Sequence, residues 1–370
     1  MTRDGLIALA AGGTGGHLFP AEALAQELKR RDWNILLVTD ARGSRYAEKF
    51  PADDRFEISA ASPSIGGPIA KAFAAASLAG GLVTALKEFR RRKISAALGF
   101  GGYPSFPAMK AAALLRIPYG LHEQNGVLGR TNRMLASDAT FLAHAFPTLE
   151  RAPARARRIE VGNPLRDAAA KLSGALYSAP GSSDPIKLLV FGGSQGASIF
   201  SKVTPGTIGS LPEALRRRLH VTQQVRDAEI EGVRAAYAQA GVAAEVAAFY
   251  DDLPARIAAS HLVIARAGAS TVTEIATIGR PSILVPLAIA MDDHQSGNAR
   301  ALVDAGAAIL LTEKAFTIEA LRSALEPLLT EPARLVAMAA ATRGRVRTGA
   351  AKALADLVEE IAAKASKKAA

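Results

Sequence analysis

A glycine turn that ends in a histidine, residues 12–17 (GGTGGH), is the part of this chain best suited to chemistry. It follows the apolar run 6–10 and precedes a segment predicted to be helical from near Pro20. Glycines let the backbone approach a ligand, and a helix N-terminus offers unpaired N–H groups at the positive end of its dipole. The pattern therefore predicts a site for a negatively charged ligand, with the His17 imidazole beside it.

This turn matches neither of the two common phosphate-binding patterns. G-x-G-x-x-G would need a glycine where Leu18 stands, and the Gly-Lys-Ser/Thr of a P-loop does not follow. Redox chemistry and nucleotide hydrolysis are therefore disfavoured. A plain tight turn without a ligand is the alternative, although the run of glycine and threonine is longer than a turn requires.

A similar turn, residues 192–196 (GGSQG), also follows a strand-like run directly. It fits the G-x-S-x-G nucleophile elbow of α/β-hydrolases, for which Asp251 with His261 or His294 could complete a triad. That interpretation leaves the first turn unexplained. The competing interpretation is that the Ser194 hydroxyl and the backbone N–H groups bind a diphosphate at a helix start.

Two segments of the second half have both a structural and a ligand-binding interpretation. In 271–274 (TVTE), Glu274 either completes a capping box with Thr271 or accepts hydrogen bonds from a ribose diol. In 249–252 (FYDD), Phe249 either joins the core or stacks on a nucleobase. The sequence leaves both choices open.

Other polar segments stand at the ends of strand-like runs. Residues 99–103 (GFGGY) form a further glycine turn, and 122–126 (HEQNG) place four polar groups in a row, so the first half is also expected to bind a phosphate. The aspartates at 292–293 could hold a divalent metal, but aspartates are common at helix starts, and no metal is expected there.

Composition limits the class of protein. The 370 residues are enough for two domains, and 49% of them are hydrophobic. The absence of cysteine excludes disulfides, zinc–thiolate sites and a thiol nucleophile. No secretory signal is expected, and the apolar stretch 72–86 is shorter than the roughly 20 residues that span a bilayer, which predicts a buried or interfacial helix.

The net charge of +11 is uneven, with +8 in residues 1–165 and +3 in 166–370. A basic half attracts nucleic acid or an anionic membrane surface. Aromatic residues make up only 5% and no nucleic-acid recognition motif is found, so no nucleic acid is expected as a partner. The densest basic run, 90–93 (RRRK), is either part of a membrane-facing surface or a solvated helix end.

Strand-like and helix-like runs alternate along the whole chain, and the strand-like runs are continuously apolar. This pattern is typical of parallel sheets covered by helices on both faces. The predicted strands are 35–39, 96–99, 119–122, 140–143, 187–191, 262–266 and 282–286. We predict domains at 1–165 and 185–345 with a linker at 173–184. We also expect a final helix within 346–370 that docks back onto the first domain.

Taken together, these motifs resemble the family of UDP-N-acetylglucosamine:lipid-linked muramyl-pentapeptide N-acetylglucosaminyltransferases, the MurG family. The resemblance runs through seven segments in the family's order: 12–20, 99–103, 122–126, 162–166, 192–196, 268–274 and 293–299. It implies an α/β glycosyltransferase B-type fold, in which two Rossmann-like doubly wound parallel-sheet domains face a central cleft. It also implies conversion of lipid I to lipid II in peptidoglycan synthesis, at the cytoplasmic face of the bacterial inner membrane.

The resemblance implies which residues bind the substrates, UDP-N-acetylglucosamine and undecaprenyl-diphosphate-linked muramyl-pentapeptide. Uracil would contact Phe249 and Tyr250, the ribose Glu274, the diphosphate Ser194, and the sugar hydroxyls His294 and Gln295. The first domain would close on the donor, and its glycine turns would hold the acceptor's diphosphate. The remaining implied contacts are Thr14, Gly15, Gly16, Asn125, Arg166, Gln195, Ala269, Ser270 and Thr271.

One segment departs from the family pattern. Residues 223–226 (QQVR) stand where the family usually has Gln-Ser/Thr-Gly, so we expect no secure ligand contact there. No cofactor or metal ion is implied.

The resemblance also implies a mechanism. The C4 hydroxyl of the acceptor sugar would attack the anomeric carbon with inversion, and we expect His17 to act as the base. The alternative role for His17 is a hydrogen bond to the substrate or the helix start. Arg166 and the helix N-termini would stabilise the leaving UDP without metal.

The acceptor is a membrane lipid, so a surface that meets an anionic membrane is expected. The candidates are Ile65, Ile69, Phe73, Leu78, Lys71 and the basic run 90–93. Other cell-wall synthesis or division proteins are expected as further partners. Three other functions remain open: a sugar-nucleotide 2-epimerase, a serine hydrolase and a non-enzymatic nucleotide sensor.

Overall fold

The computed structural model describes residues 5–13, 15–44, 47–48, 50–60, 67–193, 197–288 and 293–369. The chain divides into two compact units. Unit 1 comprises Met1–Asp167 and Arg347–Ala370, and unit 2 comprises Ala168–Val346.

Unit 1 is built on a parallel sheet that has seven strands within the described part of the chain, in the order β3-β2-β1-β4-β5-β6-β7. The strands are β1 Leu6–Ala10, β2 Asn34–Thr39, β3 Asp54–Glu57, β4 Ile94–Gly99, β5 Tyr119–Glu123, β6 Phe141–His144 and β7 Arg158–Glu160. The helices are α1 Gly15–Arg30, α2 Ala41–Ser44, α3 Pro68–Arg91, α4 Ser105–Leu114, α5 Arg130–Leu135 and α15 Ala350–Ala369.

Helices cover both faces of this sheet, as the apolar strands predict. Ile7 and Leu9 face α1 and α15, whereas Ala8 and Ala10 face α3 and α4, because successive strand side chains point to opposite faces. A shift of β1 by one residue against its neighbours would therefore turn each of its side chains to the opposite face of the sheet.

Unit 2 repeats this plan with six strands among its described residues, in the order β10-β9-β8-β11-β12-β13. The strands are β8 Ile186–Phe191, β9 Leu219–Gln224, β10 Ala243–Ala247, β11 Leu262–Ala265, β12 Ser282–Leu284 and β13 Ala308–Leu310. The helices are α6 Asp167–Ala170, which begins at the unit boundary, α7 Ser198–Gly209, α8 Glu213–Arg216, α9 Ile230–Gln239, α10 Leu253–Ala259, α11 Ala269–Ile278, α12 His294–Asp304, α13 Ile318–Thr330 and α14 Pro332–Ala341.

Both sheets contain the strand order 3-2-1-4-5-6 when strands are numbered within each unit, which is the doubly wound, Rossmann-like order. In each unit the first strand, β1 or β8, leads into a glycine turn. The predicted doubly wound parallel sheets are thus confirmed, and the weak repeat in the sequence corresponds to a repeated topology.

The segment 173–184, which the sequence suggests as a linker, is instead held against unit 2. The buried guanidinium of Arg280 donates to the carbonyls of Ala175 and Leu176, and Gly174 N–H donates to Thr277 O. Tyr177 Oη donates to His261 O. The boundary between the units falls at residues 167–168, two residues after the predicted end of the first domain and before the predicted linker.

Two helices begin or extend differently from the sequence prediction. Helix α1 begins at Gly15 rather than near Pro20, so His17 lies on its first turn. The apolar stretch 72–86 is the middle of the 24-residue helix α3. By length and composition Ile69–Arg91 could cross a membrane, yet Ala74, Ala85 and Phe89 are buried in unit 1.

Candidate functional site

Three loops meet at the carboxyl edge of the unit 1 sheet, where β1, β2 and β4 end. Ala10 O accepts hydrogen bonds from Phe100 N–H and from the buried Ser105 Oγ, at 2.9 and 2.7 Å. Gly13 N–H donates to Asp40 Oδ1 at 2.9 Å. These bonds tie the glycine turns that follow β1 and β4 into one rigid edge.

The half-buried His17 ring lies directly against the second glycine turn. A Cβ on Gly101 would stand 3.4 Å from His17 Cδ2, and one on Gly102 would stand 3.5 Å from His17 Nδ1. Both glycines have positive φ, +81° and +73°, which other residues rarely adopt. The backbone conformation explains why glycines stand here, since a Cβ at these distances from His17 would make only ordinary van der Waals contact.

Arg166 is positioned at the same end of α1. Its guanidinium lies over the Phe19 ring, 4.0 Å from the centroid. The same ring leaves no room at Gly15, where a Cβ would lie 2.8 Å from a Phe19 carbon. The first turn of α1, with Gly15, exposed Gly16 and His17, therefore sits beside an arginine, and both the cation and the helix dipole favour an anion there.

The loop after β5 is organised by the buried carboxylate of Glu123. Its two oxygens accept four hydrogen bonds, from Asn125 N, Asn125 Nδ2, Gly129 N and Asn132 Nδ2, at 2.9–3.1 Å. Asn125, expected to bind substrate, is thereby fixed in backbone and side chain at the carboxyl edge of the sheet.

His122 has a structural environment rather than a catalytic one. It is fully buried, and its Nε2 lies 3.0 Å from Gly162 O, so Nε2 carries the proton and Nδ1 accepts from Gln124 Nε2 at 3.2 Å. Burial is the main cause that lowers the pKa of His122 to about 4, against the opposing effect of the Gly162 bond. The neutral ring ties β5 to residues 162–166.

In unit 2, helix α11 begins at Ala269, two residues before Thr271. Glu274 is therefore the sixth residue of the helix, and the predicted capping box with Thr271 is wrong, because a capping box needs the acid at the third position. Glu274 is buried, and Ser270 Oγ is buried on the first turn without a hydrogen-bond partner among the described residues.

The aromatic pair after β10 divides between surface and core. Phe249 is 58% exposed, so it does not join the core. The Tyr250 ring is turned inward, with its hydroxyl donating to Glu245 O at 3.1 Å and the Arg256 guanidinium 4.1 Å from its centroid. Of this pair, Phe249 therefore presents its ring to the surface, and the ring of Tyr250 packs inside unit 2.

An ion pair between the buried Arg266 and the partly exposed Glu313, which the sequence did not reveal, holds the loop after β12. Arg266 Nη1 donates to Glu313 Oε2 at 3.1 Å and to the carbonyls of residues 285 and 286. Ala288 N–H donates to the same Glu313 oxygen. Burial alone would raise the pKa of Glu313, but the bonds from Ala288 and Arg266 hold it below its usual value. Gln295 Oε1 accepts Leu287 N–H at 3.0 Å, so it supports this loop too.

The divergent segment 223–226 is largely internal. Tyr237 Oη donates to Gln223 Oε1, and Gln224 Nε2 donates to Ala248 O at 3.1 Å, just before Phe249. Both glutamines are buried. This segment supports the neighbouring aromatic loop.

Several expected site residues lie outside the described residues: Thr14, Ile65, Ser194, Gln195 and Asp292. Asp293, the residue before α12, has φ of 51° and accepts a hydrogen bond from Ser296 Oγ. Within the ranges that the structure describes, no group of three or more histidine or acidic residues could hold a metal ion.

The position of His261 argues against its membership in the catalytic triad of the hydrolase interpretation. His261 stands at the amino end of β11, and its Nδ1 accepts Lys187 N–H at the start of β8. The other end of β8, at Phe191, lies four residues from Lys187, or about 13 Å at 3.3 Å per residue. His261 is thus at the amino end of these strands, whereas the supposed nucleophile follows the carboxyl end of β8 in the sequence.

Two doubly wound units are the architecture of glycosyltransferases of the B-type fold, which the 2-epimerases share, and the family matches identify the class. The glycosyltransferase family 28 N-terminal domain matches residues 7–143, and the family 28 C-terminal domain matches residues 187–361. The chain belongs to glycosyltransferase family 28.

Comparison with individual relatives shows which members of this family the chain is similar to. The UDP-N-acetylglucosamine–N-acetylmuramyl-(pentapeptide) pyrophosphoryl-undecaprenol N-acetylglucosamine transferase of Phenylobacterium zucineum (strain HLK1) is 48% identical, over 96% of this chain and 98% of its own. The crystal structure of Acinetobacter baumannii MurG is 29% identical with a TM-score of 0.77, over 96% of this chain and 99% of that one. A UDP-N-acetylglucosamine 2-epimerase shares the fold alone, with 15% identity, a TM-score of 0.62 and 95% coverage of both chains.

Proposed function

We propose that this chain transfers N-acetylglucosamine from UDP-N-acetylglucosamine to the undecaprenyl-diphosphate-linked N-acetylmuramyl-pentapeptide, the step from lipid I to lipid II in peptidoglycan synthesis. The observation that carries the proposal is the 48% identity to a transferase of this name across nearly the full length of both chains. A fold likeness alone would not separate this activity from that of the 2-epimerases.

Unit 2 would hold the donor nucleotide. The exposed Phe249 ring would stack on uracil, with the main chain of Tyr250 at the base edge, and Glu274 would accept hydrogen bonds from the ribose hydroxyls. The N–H groups of Ala269, Ser270 and Thr271 open α11 and suit a diphosphate, as do Ser194 and Gln195 by resemblance. His294 and Gln295 would meet the sugar. The Arg266–Glu313 pair supports this arrangement by fixing the loop that Gln295 contacts.

Unit 1 would supply the base. The attacking C4 hydroxyl must lose a proton as the bond to the anomeric carbon forms on the face opposite the departing UDP, which inverts the configuration. His17 is suited to accept that proton, since it stands half-buried at the start of α1 between two glycine turns. Thr14, Gly15, Gly16, Asn125 and Arg166 would bind substrate around it, with Arg166 facing the negative charge that develops on UDP.

We further propose that the enzyme is peripheral to the cytoplasmic face of the inner membrane, through helix α3. Ile69, Phe73 and Val83 are 87%, 71% and 67% exposed, and they recur on one side of the helix. Leu78 is only half-exposed. An exposed apolar stripe of this kind indicates a contact with lipid or protein.

The basic run beside this helix contributes less than the sequence suggests. Arg92 is bound to Asp54 and Glu88, and Arg91 pairs with Glu88. Lys71, Arg90 and Lys93 are exposed and would meet anionic lipid, at about 1 kcal/mol each. Roles in cell shape and division, with cell-wall synthesis partners, would follow from the reaction.

A single assay tests the proposed activity. Labelled UDP-N-acetylglucosamine is incubated with the full chain and a lipid I analogue, and the expected result is a labelled disaccharide lipid together with UDP. Epimerised donor without acceptor would identify a 2-epimerase, and binding without product would identify a sensor. Modification of Ser194 by a fluorophosphonate would identify a hydrolase, and each of these outcomes contradicts the proposal.

A further inference from the structure

We propose that Asp40 is a positioning residue for this reaction, which holds the first glycine turn in the shape that places His17. The inference rests on the proposed function, since it concerns the same turn. Asp40 lies outside the motifs identified in the sequence. Asp40 follows β2 directly and is only 6% exposed.

The Asp40 carboxylate bridges two loops that are far apart in sequence. Its Oδ1 accepts Gly43 N–H and Gly13 N–H, each at 2.9 Å, and its Oδ2 pairs with Arg42 Nε at 3.2 Å. The bond to Gly43 is an ordinary cap of the short helix α2. The bond to Gly13 has no such local purpose, because it crosses 27 residues to the turn after β1.

The surrounding glycines are shaped to admit this carboxylate. A Cβ on Gly12 would lie 2.7 Å from Asp40 Oδ1 and 2.8 Å from Pro104 Cγ. A Cβ on Gly43 would lie 2.1 Å from Thr39 Oγ1. Gly13 itself has φ of +83°. Glycines 12 and 43, where a Cβ would lie 2.7 and 3.1 Å from Asp40 Oδ1, thus serve the approach of a protein carboxylate as well as any approach of a ligand.

This arrangement changes what the first turn can offer a substrate. The Gly13 N–H already has an anionic partner, and a second anion beside a buried carboxylate would be repelled. The expectation that this turn holds the acceptor's diphosphate therefore does not extend to Gly13. The N–H groups that open α1, at Gly15 and Gly16, lack acceptors within the helix and remain suited to an anion. The Asp40 bond fixes the backbone two residues before that helix start, and so fixes the direction of His17.

Substitution of Asp40 tests this role against a matched carboxylate. Asp53 also accepts a backbone N–H, from Ile35 at 2.7 Å, and pairs with Lys29, but at the amino end of β2. We expect Asp40→Ala to lower kcat for transfer about 10-fold or more, since a misplacement of about 1 Å is that costly. The KM for UDP-N-acetylglucosamine should change less than about twofold, because the groups proposed to bind its uridine and its sugar are in unit 2 and the proposed unit 1 contacts do not include Asp40. Asp40→Asn keeps an acceptor oxygen and should recover at least about a third of kcat, whereas Asp53→Ala should leave kcat unchanged.

Hydrogen exchange gives a readout that does not depend on activity. Asp40→Ala should lose protection in peptides that span residues 11–18 while those that span 198–209 stay as in the wild type, and Asp53→Ala should change neither. Three results would each overturn the inference. Protection at residues 11–18 could stay unchanged in Asp40→Ala, or Asp40→Ala could have the same kcat as the wild type. Asp40→Ala and Asp53→Ala could also lose kcat equally. A wild-type chain without transfer activity would refute the proposed function instead, and the exchange comparison would still decide whether Asp40 orders the turn.

Discussion

Buried polar side chains hold the loops that carry the proposed substrate contacts. Asp40 bonds to the turn before His17, Glu123 to the loop of Asn125, and Arg266 to the loop beside Gln295. A buried charge is tolerated only when its hydrogen bonds are made, and removal of one partner leaves a cost of roughly 1–3 kcal/mol. Each of these residues therefore couples loop shape to fold stability.

His122 should make the protein sensitive to acid. The unfolded chain takes up this proton near pH 6.5, whereas the folded protein resists it until about pH 4, so every fall in pH between these values favours unfolding. Between pH 7 and pH 5 this residue should remove about 2 kcal/mol of unfolding free energy. Urea unfolding at both pH values measures the loss.

The matched variant is His122→Gln, which can still donate to Gly162 O but does not titrate. Between pH 7 and pH 5, the unfolding free energy of this variant should fall less than that of the wild type, and the two losses should differ by about 2 kcal/mol. Equal losses in the two proteins would show that His122 does not resist protonation in the fold.

Sequence reasoning identified the residues of the glycine turns but not the partners that shape them. Residues 12–17 are contiguous, so their chemistry is visible in one stretch. The Asp40–Gly13 and Arg266–Glu313 bonds cross 27 and 47 residues, and only the sheet topology brings their ends together. The capping box failed for a related reason, since the T-x-x-E spacing does not state where the helix begins.

At the scale of single elements, helix α3 is predicted to bind anionic membranes. Phe73→Glu should weaken binding to anionic vesicles at least about 10-fold, because it removes an aromatic group worth about 1.5–3 kcal/mol of burial and adds a negative charge. Vesicle sedimentation at low and high salt measures the binding. Val336→Glu, on α14 of unit 2, replaces another exposed apolar residue and should bind as the wild type does. Equal binding by both variants, or binding without dependence on anionic lipid, would contradict this role of α3.

Most central strands could be predicted, whereas the edge strands β3 and β7 of unit 1 could not. Strands such as β1 and β8 are buried on both faces and therefore read as continuous apolar runs. Strand β3 (Asp54–Glu57) lies at the sheet edge with mostly exposed side chains, and β7 (Arg158–Glu160) lies at the other. An edge strand has fewer neighbours to bury it, so its sequence lacks the apolar signal.

At the scale of the whole molecule, unit 1 depends on the last helix. Leu354, Val358 and Ile361 of α15 are at most 1% exposed, and they pack with α1 and β4. Arg31 pairs with Asp356 and Glu359. Burial of the three apolar side chains is worth about 1.5–3 kcal/mol each, a sum comparable to the stability of a domain.

A chain that ends at Val346 should therefore lose the fold of unit 1 and keep that of unit 2. Hydrogen exchange should show protection lost in β1 and β4 but retained in β8 and β11. A chain that ends at Lys364 keeps the buried residues of α15 and should match the wild type. Protection of β1 without α15 would show that unit 1 is complete without it.

The division of the chain was predictable, but the segment proposed as the linker was not a linker. Residues 173–184 have a linker's composition, rich in serine, alanine, glycine and proline. Composition does not reveal that Arg280, about a hundred residues later, binds the carbonyls of this segment. Burial lowers the pKa of Arg280 below its usual value, a sign of how closely the segment covers it.

The central claim is that His17 takes the proton while other residues hold the donor, and one pair of measurements tests it: kcat for transfer and the Kd for UDP-N-acetylglucosamine in His17→Ala. We predict a loss of about 100-fold in kcat with Kd within about twofold of the wild type. His220→Ala, at an exposed position on β9, serves as the control and should change neither. Near-normal turnover by His17→Ala with intact donor binding would contradict the account.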